Sequence, residues 1–94
     1  MAQLLSPEDI DAKLTQFPEW GMDQGKSITR DFKFQDFKEA MEFVNKVADE
    51  AEEMNHHPDI DIRWNTVTLA ISTHSAGGLT ENDFELASRC NKLA

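Results

Sequence analysis

The run from Asp36 to Met54 admits one regular structure. Phe37, Ala40, Met41, Val44, Val47, Ala48, Ala51 and Met54 recur at spacings of three and four, which lines them along one face of a long α-helix. Pro58 bounds it, because proline has no N–H to continue the ladder and pushes the residue before it out of the α region. The segment Asn55-His56-His57-Pro58 is therefore a helix exit. The remaining elements have to supply a layer on which the apolar face can pack.

Alternation supplies that layer. Ile28, Arg30, Phe32 and Phe34 alternate with polar neighbours, and Trp20 and Met22 precede the turn-rich Asp23-Gln24-Gly25, which predicts a strand paired in a hairpin begun at Trp20. After Pro58, Ile60, Ile62 and Trp64 alternate, Asn65-Thr66 breaks the phase, and Val67, Leu69 and Ile71 resume it: two strands and a tight turn. Val67, Leu69, Ile71 and Thr73 share one face, which leaves Thr68, Ala70, Ser72 and His74 on the other and predicts His74 at the strand end, away from the apolar side. Ser6-Pro7-Glu8-Asp9 reads as a capped start for a short helix to about Gln16. Thr80-Glu81-Asn82-Asp83, after the Gly77-Gly78 turn, opens a last helix through Phe84, Ala87, Cys90 and Leu93. The expectation is one α+β domain over residues 1–94, an antiparallel four-stranded sheet with helices packed on one face.

Composition narrows the function classes. Eighteen acids against nine bases give a formal charge of −9, which repels a phosphate backbone and argues against direct nucleic-acid binding. No apolar run approaches the ~20 residues a bilayer span needs, and Met1 to Leu5 lacks the pattern of a signal peptide, so no membrane association and a cytoplasmic location are expected. The single cysteine, Cys90, has no internal partner and fits a reducing compartment. Asp49, Glu50 and Glu53 read as a solvated helix face.

All three histidines fall in two short segments, His56-His57 and Ser72-Thr73-His74. Imidazole both gives and takes a proton near neutrality, so three of them brought together make a proton-transfer site. Zinc fits poorly, because adjacent helical residues diverge by about 100° and no cysteine lies near either segment. Nucleophilic catalysis has only the proximity of Ser72 and Ser75 to His74 in its favour. Glu52 stands four residues before His56 and is expected beside it if the last turn stays helical. Asp83 occupies a capping position, where glutamate would serve as well as aspartate.

These residues carry a resemblance. A glutamate separated by three residues from His-His-Pro, a hairpin, then Ser-Thr-His, a glycine turn, Leu-Thr and an aspartate opening the last helix resemble the pterin-4a-carbinolamine dehydratase family. Here they are Glu52, His56-His57-Pro58, Trp64-Asn65, Ser72-Thr73-His74, Gly77-Gly78-Leu79-Thr80 and Asp83, and the likeness runs from about Trp20 to Ala87. It implies a cytoplasmic enzyme that dehydrates 4a-hydroxytetrahydrobiopterin, or a related pterin, to the quinonoid dihydropterin, with no metal or organic cofactor. The reaction recycles the pterin of aromatic amino-acid hydroxylases, one of which is a possible partner. It implies catalytic His56, His57 and His74, with Glu52, Asn55, Pro58, Ser72, Thr73, Ser75, Asp83 and Trp20 binding or orienting. Asn55 stands where some members carry aspartate. The family also implies a homodimer built by extending the sheet, or a homotetramer. The rival reading is a non-enzymatic protein-binding or pterin-binding module, of the coactivator or chaperone-like kind.

Overall fold

A computed structural model describes residues 3–94. The reading of Met1 to Leu5 as free of a leader rests partly on Met1 and Ala2, which lie outside the described residues. The chain runs α1 (Pro7–Leu14), β1 (Gly21–Asp23), β2 (Ser27–Lys33), α2 (Phe37–Met54), β3 (Asp59–Arg63), β4 (Thr66–Ile71) and α3 (Glu81–Leu93). All strand pairs are antiparallel and the sheet order is β1-β2-β4-β3, so the fold is α+β as its periodicities predict.

Local chemistry sets the boundaries. Ser6 caps α1 by accepting the Asp9 N–H at 3.1 Å, and Asp36 caps α2 by accepting that of Glu39 at 2.8 Å. Helix α1 stops at Leu14, two residues before the expected end, because Gln16 and Phe17 turn back to the carbonyls of Lys13 and Leu14 in tighter i→i+3 bonds. The β1–β2 hairpin turns through Gln24 and Gly25, both with positive φ (54° and 72°), as primed hairpin turns require.

One face of the sheet makes the core. Ile28, Phe32, Val67, Leu69 and Ile71 point to the helices and are at most 3% exposed. The opposite face carries Thr29, Asp31, Thr68 and Ala70, all partly or fully exposed. Helix α2 meets this core through Ala40, Phe43, Val47 and Ala51, a stripe rotated from the one expected. Phe43 draws the helix round by packing on Phe32 and Phe34, with ring centroids 4.7 and 5.0 Å away, and Phe37 is left 52% exposed. Arg89 on α3 fastens the two long helices, bonding Glu50 at 3.0 Å, Glu53 at 2.8 Å and Glu85 at 3.0 Å. Glu50 and Glu53 are thus engaged by a cation, while Asp49 stays exposed as expected.

No helix among the described residues is long and apolar enough to cross a membrane. Cys90 is buried in the core, and burial, with the charge of Glu50 adding, pushes its thiol up to about 12. The native protein is accordingly expected to resist iodoacetamide at neutral pH and to react once unfolded; alkylation at equal rates in both states would contradict the burial.

Candidate functional site

Helix α2 ends in a left-handed residue, and that residue decides where the histidines go. Asn55 has φ 51° and ψ 45°, a conformation asparagine tolerates better than most side chains. Its N–H bonds the Glu52 carbonyl at 3.2 Å and the His56 N–H reaches the Ala51 carbonyl at 3.0 Å, the paired arrangement of a Schellman cap. Asn55 therefore works through its backbone. The last turn does not continue to His56, so the expected Glu52–His56 neighbourhood is replaced: Glu52 Oε2 lies 2.5 Å from His57 Nε2. His56 turns instead toward α3, where its Nε2 lies 2.6 Å from Asp83 Oδ1.

The two pairs differ in environment. His57 and Glu52 are 55% and 77% exposed, so water screens their attraction. His56 is 12% exposed and Asp83 fully buried. The other oxygen of Asp83, Oδ2, accepts the Thr80 N–H and the Thr73 hydroxyl, each at 2.8 Å. The carboxylate thus divides its work: Oδ2 closes the start of α3 and Oδ1 holds an imidazole.

His74 is delivered by a turn. Strand β4 stops at Ile71, and His74–Ala76 form a single 3₁₀ turn, so His74 does not extend the strand as expected. Thr73 is the cause: its N–H pairs with the Gly78 carbonyl at 2.9 Å while its own carbonyl accepts Ala76 and Gly77 N–H groups at 3.0 Å. Gly77, at φ 77°, supplies the left-handed residue that closes the turn.

A cavity of about 250 Å³ is lined by Asn55, His56, His57, Ser72, Thr73, His74 and Ser75. The fold therefore gathers all three histidines, from two segments, around one opening. A larger hollow of about 660 Å³ between the starts of α1 and α3 contains no histidine, and its acids Asp9 and Glu81 offer no proton-transfer pair. Four residues expected at the site are outside the lining: Glu52 and Asp83 pair with its histidines, whereas Pro58 and Trp20 serve the fold. Pro58 is the half-buried link into β3. Trp20 is 4% exposed, packs edge-on against Phe32 and donates its indole N–H to Asn91 Oδ1 at 2.9 Å. Thr80 was the omission: its Thr-x-x-Asp spacing signals a capping box, and a capping box alone does not announce a catalytic neighbour. Among the described residues no three His, Cys, Asp or Glu side chains are grouped closely enough to hold a metal ion. Chemically, the opening offers an imidazole backed by a buried carboxylate, a second exposed imidazole, and a third paired to a surface acid.

The chain is similar to known proteins along nearly its whole length. Residues 3–93 match the family model described as pterin 4 alpha carbinolamine dehydratase. A protein of Acidobacterium capsulatum is 54% identical over 99% of both chains, and one of a Picosynechococcus species is 50% identical over 99% of this chain and 100% of its own; both are provisionally named pterin-4-alpha-carbinolamine dehydratase. The crystal structure of a transcriptional coactivator/pterin dehydratase from Brucella melitensis superposes with a TM-score of 0.91 at 35% identity, covering 96% of this chain and 97% of that one. A pterin dehydratase-like RuBisCO assembly factor of the alpha-carboxysome shares the fold, with a TM-score of 0.69 at 22% identity over 81% of this chain and 89% of its own.

Proposed function

This chain belongs to the pterin 4 alpha carbinolamine dehydratase family, and from that premise we propose that it dehydrates a 4a-hydroxytetrahydropterin, such as 4a-hydroxytetrahydrobiopterin, to the quinonoid dihydropterin. The observation that carries the reading is His56 braced by a buried carboxylate in the same opening as His57 and His74. In the reaction the C4a–O bond breaks, an acid protonates the departing hydroxyl as water, and a base takes the proton of the ring nitrogen. Positioned groups of this kind contribute about 10² to 10⁴ each. His56 and His74 are the acid–base pair in this reading, and His57, oriented by Glu52, binds the pterin. Asn55, Ser72 and Ser75 border the substrate, while Thr73 and Asp83 act from behind. The reaction uses no metal or organic cofactor, and it serves pterin recycling for an aromatic amino-acid hydroxylase in the cytoplasm.

The deciding measurement is the rate of 4a-carbinolamine breakdown with and without the protein, repeated in EDTA. Acceleration that survives the chelator supports the reading; no acceleration, or acceleration lost in EDTA and restored by zinc, rejects it. A rival, suggested by the coactivator name of the Brucella relative, is a protein-binding module. Such a module has no need of an imidazole held on a buried carboxylate, and it would leave the carbinolamine rate unchanged.

We further propose that the chain works as one domain within a homodimer or homotetramer. Strand β3 has one free edge and leaves Ile60 37% and Trp64 68% exposed. The hairpin closes on the Arg63–Thr66 pair, so Ile60 and Ile62 turn their backbone groups outward. Self-pairing about Ile62 faces Asp61 with the partner's Arg63 and Ile60 with the partner's Trp64, whereas pairing about Asp61 would oppose two like charges. Light scattering is expected to give an oligomer, and Ile60→Lys, which puts a charge into that pairing, is expected to shift it toward the monomer. A wild-type monomer at micromolar concentration would contradict the assembly.

A further inference from the structure

Behind His56 the hydrogens of a buried cluster run in one direction. Thr73 has a single hydroxyl proton, and 2.8 Å away lies Asp83 Oδ2, a carboxylate oxygen that can only accept. The 2.8 Å contact between the Thr73 and Thr80 hydroxyls is then donated by Thr80. Thr80 also gives its N–H to the same carboxylate oxygen at 2.8 Å. Thr73, Thr80 and Asp83 are 6%, 1% and 0% exposed, so this ordering is shielded from water. Oδ2 is occupied twice, and Oδ1 is left to His56 at 2.6 Å. Facing an acceptor, Nε2 of His56 carries its proton, and Nδ1 is the nitrogen free to exchange one.

We propose that Thr73 and Thr80 are positioning residues, whose hydroxyls, donated in series toward Asp83, fix the carboxylate so that His56 is held as the Nε2–H tautomer with Nδ1 as its proton-exchanging atom. Thr73 has a second hold on the site. Its backbone closes the turn that begins at His74, so one residue sets the placement of both imidazoles. Thr80 acts only through Thr73 and Asp83, since it does not line the histidine cavity. The catalytic part of this inference rests on the dehydratase reading. The tautomer is a property of the free protein and does not.

Nitrogen NMR of histidine-labelled protein without substrate tests it directly. With the His56 imidazole neutral, the wild type is expected to show a protonated Nε2 and an unprotonated Nδ1. Thr73→Val keeps the shape and removes the hydroxyl; it is expected to mix the tautomers, speed Nε2–H exchange and lower kcat by about tenfold with KM within about twofold. Thr73→Ser is expected to restore both readouts. Thr80→Val, which leaves both protons on Oδ2 in place, is expected to give a smaller loss of about threefold, reversed in Thr80→Ser, and it carries the test if Thr73→Val fails to fold. A wild-type Nδ1–H tautomer overturns the proposal, as do valine variants with wild-type spectra and kcat, or a loss that serine does not rescue. If the wild type accelerates no dehydration, the function reading fails while the spectra still decide the tautomer.

Discussion

Asp83→Asn is expected to fold like the wild type and to slow pterin dehydration by on the order of 10² to 10⁴-fold. The amide matches the carboxylate in size and can keep an oxygen toward the Thr73 hydroxyl and the Thr80 N–H, so the start of α3 stays closed. Its NH₂ group then faces His56 Nε2, which has to accept instead of donate, and the imidazole proton moves to Nδ1. Proton exchange is lost at the atom that needs it, with little change in packing. Thermal unfolding beside the carbinolamine rate separates the two effects, and a fully active Asp83→Asn would remove Asp83 from the mechanism.

Glutamate at the same position sharpens the point. Read as a cap, position 83 tolerates the longer acid. Asp83 is 0% exposed with both carboxylate oxygens bonded, so another methylene has to displace them, and overpacking of a buried site costs about 1–3 kcal/mol. Asp83→Glu is therefore expected to lose stability and rate together, which the capping pattern alone does not foresee.

That difference marks how far the sequence could be read. Element types followed from local periodicity and capping chemistry: alternation at Val67, Leu69 and Ile71, and the cap residue Ser6, act within a few positions of where they are written. Partnerships across the fold were less legible. The Glu52–His56 spacing pointed to a helical neighbour, yet one left-handed residue, Asn55, sends His56 to a carboxylate 27 positions away. Asparagine is common enough elsewhere that its presence does not announce this conformation. The core stripe of α2 was similarly set by Phe43 meeting Phe32 and Phe34, a tertiary contact with no signature in the helix's own spacing. Trp20 shows the same limit, since aromatic character suits a ring-binding surface and a core equally, and its bond to Asn91 depends on the far end of α3.

His56→Ala and His74→Ala are expected to lose activity alike and stability unlike. Each removes a proton-transfer group, so each rate is expected to fall at least about tenfold, with His57→Ala milder because its pair with Glu52 is exposed. Stability separates the first two. His56 donates to a carboxylate with no access to water, and deleting it leaves Asp83 Oδ1 without that partner, a cost of about 1–3 kcal/mol or more for a charged group. His74 is exposed in its turn, and its removal is expected to stay within about 0.5 kcal/mol of the wild type. His56→Gln discriminates further, because its amide NH₂ can donate to Asp83 but cannot shuttle a proton: much of the stability is expected to return and none of the rate. Urea unfolding of the three variants beside their turnover decides the matter. Equal stabilities for His56→Ala and His74→Ala would mean that the buried pair does not hold this corner of the fold, whereas wild-type turnover in both would leave the histidines without a role in the chemistry.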